Sequence, residues 1–208
     1  MAAKNKNYGF TLLEVLVVIA IFALIMASVF ANFRQGEFSN QLSLAADNVA
    51  TEIRKVQTMV ASGVPTYVCM AGAVITGVCE DDPAACGGDC IEHVPFGGYG
   101  LAFEEGSDTM ALFADLDESG SFDDPEELIR NLPISVTGRV IVERMNTETG
   151  ALDTLEVIFS PPKSMMSFFG PGIFGDPSEA TITLGHEVSG RTEDITLNNI
   201  SSRIDVIR

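Results

Sequence analysis

From Phe10 to Phe33 the chain reads FTLLEVLVVIAIFALIMASVFANF, an apolar run whose one ionisable side chain is Glu14. As a helix rising ~1.5 Å per residue it is about 36 Å long, enough to cross a bilayer core of ~30 Å. Ahead of it, MAAKNKNYG carries Lys4 and Lys6 and no acid, and the next cation after it is Arg34. By the positive-inside rule this charge bias predicts a cytoplasmic leader and an exported remainder. The run is too long for the apolar core of a cleaved secretory signal, and a plain signal anchor gives no reason for Glu14. A carboxylate in hydrocarbon costs roughly 2.5–3.5 kcal/mol near a helix centre and less toward its end, so it marks a function with a partner.

Gly9-Phe10-Thr11-Leu12-Leu13-Glu14 resembles the processing site of the type IV prepilin and pseudopilin family. The resemblance rests on a basic leader, a glycine followed by phenylalanine, and a single Glu inside a full-length apolar helix. It implies that a membrane-embedded prepilin peptidase cuts after Gly9 and methylates the new N-terminus, Phe10. It also implies that Glu14 neutralises the Phe10 α-amino group of a neighbouring subunit. Such a pair is tolerable in a low-dielectric medium only when both charges are matched, so it acts as a register check on assembly. The family's partners are other pilin or pseudopilin subunits, the prepilin peptidase, an assembly ATPase and an inner-membrane assembly platform. The implied location is a single-pass inner membrane protein with its N-terminus cytoplasmic and its head extracytoplasmic, then the pilus or pseudopilus.

Beyond Arg34, Phe38, Leu42, Ala45, Val49, Ile53, Val56 and Val60 recur at steps of three and four, the period of one buried helix face. Gly63 followed by Pro65 predicts the stop. The expected organisation is a cleaved leader over 1–9, a transmembrane or filament-core helix over 10–33, its amphipathic continuation over 34–63, and a β-rich head over 64–208. Within the head, Tyr99–Phe103, Met110–Phe113, Ile134–Arg144, Thr154–Ser160, Glu179–Gly185 and Asp194–Leu197 read as strands. One helix ahead of all the strands predicts an α+β fold, type IV pilin-like, with an antiparallel sheet against the C-terminal half of the helix. Pro161–Pro177 reads as a long loop, its Met and Phe side chains either folded back on the core or facing a neighbouring subunit.

The head also resembles the H-type minor pseudopilin branch, through LSLAADNVATEIRKVQ, Val157-Ile158-Phe159-Ser160-Pro161 and the terminal run Ser202-Arg203-Ile204-Asp205-Val206. The insert from Cys69 to Cys90 departs from that branch, as does the acidic segment Asp115–Glu126, DLDESGSFDDPE. The acidic segment has the oxygen spacing of a calcium loop: Asp115, Asp117 and Ser119 as early ligands, Gly120 at the sharp turn, the Ser121 carbonyl, Asp123, and Glu126 as the closing carboxylate. The flanks are not those of an EF-hand, because a strand precedes the loop and Pro125 interrupts it. One structural Ca²⁺ is one reading; a solvated Asp/Ser/Gly turn is the other.

Cys69, Cys79, Cys86 and Cys90 are the chain's four cysteines. In an exported head, an even count in a segment without periodicity reads as two disulfides, with three possible connectivities. The rival is a zinc site using Cys86, Cys90 and His93, although the spacings make a poor zinc ribbon.

The net charge of −17 disfavours direct nucleic-acid binding. No nucleophile elbow, phosphate-cradling loop or metalloprotease helix occurs, and no catalytic residue is assigned, so the reading is not an enzyme. The leading function is a structural subunit, pilin or minor pseudopilin, of a type IV pilus or a type II secretion pseudopilus. The alternative is a tip-located binding pilin for DNA uptake or adhesion, for which the last stretch offers only Arg191, Arg203 and Arg208. An anchored protein that never polymerises would leave Glu14 unexplained.

Overall fold

The computed structural model describes residues 11–71, 74–79, 89–122, 125–162, 164–173 and 175–207. The leader 1–9, Phe10, Cys86 and Asp123 therefore lie outside the described residues. One helix, α1 (Leu12–Ser62, 51 residues), precedes every strand. The chain divides into two compact units, Met1–Ser39 and Asn40–Arg208.

In the first unit the side chains described from Leu12 to Phe30 are exposed and overwhelmingly apolar. The helix is long and apolar enough there to cross a membrane. In the second unit the stripe read from the sequence is the buried one: Leu42, Ala45, Val49, Ile53 and Val56 are all within 2% of full burial. Val60 continues the stripe, and Ala46 and Ala50 widen it. The helix ends as Gly63 and Pro65 predict. Gly63 takes φ +60° and donates its N–H to the Val60 carbonyl, and the Val64 N–H reaches back to Met59. This is the paired closure of a Schellman cap, which only a residue comfortable in the left-handed region completes cheaply.

Three antiparallel sheets follow among the described residues. The first holds β1 (Thr66–Ala71), β2 (Val74–Val78) and β3 (Asp89–His93) in the order β2-β1-β3. The second holds β4 (Gly98–Glu104), β5 (Thr109–Asp115), β6 (Leu128–Pro133), β9 (Thr154–Ser160) and β10 (Met165–Phe169) in the order β10-β9-β4-β5-β6. The third holds β7 (Val140–Thr147), β8 (Gly150–Leu152), β11 (Glu179–His186), β12 (Thr192–Asn198) and β13 (Arg203–Ile207) in the order β13-β12-β11-β7-β8. A long helix followed by antiparallel sheets is the α+β order expected of a pilin-like chain.

Alternation along the strands decides which side chains join the helix stripe. Tyr99, Leu101 and Phe103 of β4, Leu155, Val157 and Phe159 of β9, Ile182 and Leu184 of β11, and Ile195 and Leu197 of β12 are all buried in one core with Leu42–Val60. Polar ties fix the helix in place. Arg54 donates to the Ile204 carbonyl at 2.9 Å, Asn48 Nδ2 to the Pro133 and Ile134 carbonyls at 3.2 Å, and Tyr99 Oη to the Val64 carbonyl at 2.8 Å. Buried His186 bridges Gln41 Oε1 at 3.1 Å with one ring nitrogen and accepts the Val188 N–H at 3.2 Å with the other. Those bonds tie the ring of His186 between the helix and the turn after β11.

Two strand expectations need correction. Ile134–Arg144 is not one strand: Gly138 at φ +63° closes a turn with Ser135, Val136 is fully exposed, and β7 begins only at Val140. Pro161–Pro177 is not one loop, because β10 lies inside it, pairs with β9 and buries Met166 and Phe168. Of its apolar side chains, these two fold back on the core, while Met165 stays exposed.

Candidate functional site

At the N-terminal end of α1, Thr11 is the cap residue. Its carbonyl accepts the Glu14 N–H at 3.1 Å and the Val15 N–H at 3.2 Å, and its Oγ1 lies 3.3 Å from the Glu14 N–H. Thr-Leu-Leu-Glu is a capping-box spacing, and Glu14 lies in the first turn, where negative charge is favoured by the free N–H groups. Its side chain is exposed, among the exposed Leu12, Leu13, Val15 and Leu16. Among the described residues, then, Glu14 is a lone carboxylate on an exposed apolar helix surface. Gly9 and Phe10, the expected cleavage pair, fall outside the described residues.

The acidic segment leaves β5 at Asp115. Asp115 is 2% exposed, and the Gly120 N–H, on a residue at φ +73°, donates to its Oδ2 at 3.1 Å. Its Oδ1 is buried without a hydrogen-bond partner. The carboxyl group lies so close over Gly97 that a Cβ there would stand 2.2 Å from it, so the approach requires glycine. Burial pushes the Asp115 carboxyl above the usual range, the Gly120 N–H works against that, and the Asp117 charge adds to it. Asp117 is exposed and held below the usual range chiefly by the Ser119 N–H, which donates to its Oδ1 at 2.9 Å.

The closing carboxylate is where the structure departs most from the sequence reading. Oxygens of Asp115, Asp117 and Glu127 lie within 4.8 Å of one another, and Glu127 is 4% exposed. The Leu116 N–H donates to Glu127 Oε1 at 2.9 Å. Glu126 is exposed instead, its Cβ near Gly77. The reason is the 3-10 turn Pro125–Glu127: at three residues per turn, adjacent side chains diverge by about 120°, so Glu126 faces out when Glu127 faces in. Counting oxygen positions along a loop could not register that rotation. Ser119 and Ser121 interact with each other, Ser119 Oγ donating to the Ser121 carbonyl at 3.0 Å and accepting the Ser121 N–H at 3.2 Å. Phe122 lies against Phe113 with ring centroids 4.9 Å apart, and its N–H donates to Glu156 Oε2 at 2.9 Å. These contacts pin the loop to the second sheet.

Of the cysteines, Cys79 and Cys90 are joined, with S–S 2.07 Å and Cα–Cα 6.5 Å. Cys69 is disulfide-bonded as well. The Cys79 N–H donates to the Tyr67 carbonyl at 2.9 Å, and Tyr67 Oη donates to Glu92 Oε1 at 2.8 Å, so β1 ties both cysteine-bearing segments together. A bond between Cys79 and Cys90 takes Cys90 out of the zinc reading.

Residues 4–30 match the family model of the prokaryotic N-terminal methylation motif. No curated protein and no solved structure matches the chain. The matched segment holds the basic leader, the Gly9-Phe10 pair and Glu14, and behind it a long helix leads into antiparallel sheets. The chain thus carries, over residues 4–30, the N-terminal methylation motif that marks type IV prepilins and pseudopilins, and the long helix and antiparallel sheets behind it are consistent with a pilin-like fold.

Proposed function

We propose that this chain is a structural subunit, pilin or minor pseudopilin, of a type IV pilus or a type II secretion pseudopilus. Prepilin peptidase cuts between Gly9 and Phe10 and methylates Phe10. The matured subunit waits in the inner membrane with its head extracytoplasmic, and an assembly platform there drives it into the filament. In the filament the helices pack against one another, and Glu14 meets the Phe10 α-amino group of the adjoining subunit. The pairing requires the correct stagger, since a misplaced subunit leaves one charge unmatched in a low-dielectric surrounding.

The observation that carries this reading is the exposure of the N-terminal half of α1. Leu16 is 62% exposed, Leu24 73% and Phe30 69%, on a helix whose continuation is buried from Leu42 onward. Lipid covers such a surface before assembly, and other copies of the same helix cover it afterwards. The covering helices also supply the partner charge that Glu14 does not find among the described residues. The disulfide-bonded cysteines agree with a head that matures in an oxidising compartment. The acidic surface keeps assembled filaments soluble and apart.

The test is to express the chain with and without a prepilin peptidase and to determine the mature N-terminus by intact mass and peptide sequencing. The expected product begins at methylated Phe10 and forms only when the peptidase is present. Retention of Met1–Gly9 with the peptidase, or cleavage beyond the apolar run, overturns the reading.

A further inference from the structure

We propose that Asp115, Asp117 and Glu127 form a calcium site that clips the end of β5 to the turn entering β6. Three features of the geometry carry it. First, oxygens of all three carboxylates lie within 4.8 Å of one another, although residues 118–126 separate the first two from the third along the chain. Second, two of the three are not solvated turn residues: Asp115 and Glu127 are 2% and 4% exposed. Third, Asp115 Oδ1 is buried in that cluster with no hydrogen bond, and Asp115 makes no ion pair among the described residues. A carboxylate oxygen withdrawn from water without a partner is strongly unfavourable, and three converging carboxylates add mutual repulsion. A divalent cation removes both penalties at once.

The donor set chooses the ion. All the side-chain donors are hard oxygens with no imidazole or thiolate among them, which favours Ca²⁺ or Mg²⁺ over zinc or copper. Calcium tolerates irregular geometry and takes its remaining ligands from carbonyls and water, whereas magnesium demands a near-octahedral shell and sheds water reluctantly. A turn that supplies two buried carboxylates and one exposed one suits calcium.

The site uses Asp115 and Asp117 as the linear loop pattern predicts, but closes on Glu127 in place of Glu126. Glu127 is carried by the 3-10 turn that leads into Leu128 of β6, and Glu126 packs beside Gly77 of β2. An ion here therefore fixes the path of the chain between β5 and β6 and the seat of that turn against β2. This inference is independent of whether the chain polymerises.

The experiment uses the full-length chain in detergent micelles, stripped with EGTA, titrated with CaCl₂ or MgCl₂ by calorimetry and followed by thermal unfolding. Expected are saturable Ca²⁺ binding with a dissociation constant of about 10⁻⁴–10⁻³ M or tighter, a rise in the unfolding temperature, and weaker binding of Mg²⁺. Asp117→Asn lies at an exposed position and leaves folding intact, so it keeps the test valid if Asp115→Asn fails to fold. Asp117→Asn and Glu127→Gln each weaken binding by about tenfold or more, and Glu126→Gln leaves it unchanged. Absence of saturable Ca²⁺ binding up to about 10 mM, preference for Mg²⁺, or equal losses from Glu126→Gln and Glu127→Gln overturns the proposal.

Discussion

Between Leu12 and Phe30, α1 is apolar on all sides and exposed; between Leu42 and Val60 it is apolar along one stripe, and that stripe is buried. The same backbone solves the same problem, removing apolar surface from water, in two ways. A stripe about 100° wide can be covered by a sheet of the same chain, and polar residues opposite, Asp47 and Lys55 among them, stay solvated. An all-round apolar surface can be covered only by a solvent that is itself apolar or by several helices at once. One half therefore belongs to the fold of a single chain, and the other has the length and composition of a membrane anchor.

This division is broken most directly by truncating each half. Ile53 is fully buried in the core, so Ile53→Ala removes buried methylene groups and leaves a cavity. A loss of about 2–5 kcal/mol is expected in denaturant unfolding of the head, read by circular dichroism of the full chain in micelles. Leu24→Ala, at a position 73% exposed, should change the same unfolding by less than about 0.5 kcal/mol. If the two substitutions cost the same, the halves are not energetically distinct.

A smaller effect should appear where the buried half meets the chain that leaves it. Tyr99 is buried in the core, donates to the Val64 carbonyl just past the helix cap, and has its phenol pushed up to about 12 by burial. Because the folded state holds this proton more tightly than the unfolded state, the stability involved is present in full below pH 10. It declines as pH rises through the window between about 10 and about 12. A rise of about two pH units puts the ceiling on the order of 3 kcal/mol. Tyr99→Phe should flatten that alkaline decline, with unfolding free energy measured from pH 9 to pH 11.5 as the check. A decline of equal slope in the variant would show that Tyr99 is not its source.

The sequence was most informative where one physical demand dominated a long stretch. The apolar run needed only length and charge counting, and the stripe from Leu42 to Val60 only the helical period. β4, β5, β9, β11 and β12 were legible because alternation of large apolar residues marks half-buried strands. The strands that escaped were those whose pairing is set by something other than alternation. β3, Asp-Cys-Ile-Glu-His, is largely exposed and carries one end of the Cys79–Cys90 bond. β6 ends on Pro133 at a sheet edge, β13 is a five-residue terminal edge, and β10 is hidden among prolines and glycines. At the acidic loop the grouping of Asp115 and Asp117 with Glu127 was not legible, because it depends on the 3-10 turn that buries Glu127 and leaves Glu126 exposed. Burial of Asp115 against Gly97 had no linear signal at all.

The smallest effect on the head, and the sharpest test of the division, belongs to Glu14. Its place three residues after the Thr11 cap, in the first turn of α1, allows a local capping-box role for its side chain, and that must be separated from any role between subunits. Glu14→Gln makes the separation, because glutamine keeps the hydrogen-bonding capacity of the capping position and loses only the charge. Head unfolding should be unchanged within about 0.5 kcal/mol, and cleavage after Gly9 should continue, while incorporation into filaments in competition with wild-type chain falls by at least about tenfold. A fall in incorporation with normal cleavage assigns the carboxylate to a partner charge on another subunit. Full incorporation of the variant would mean that Glu14 serves its own helix, and that the exposed half of α1 assembles by apolar packing alone.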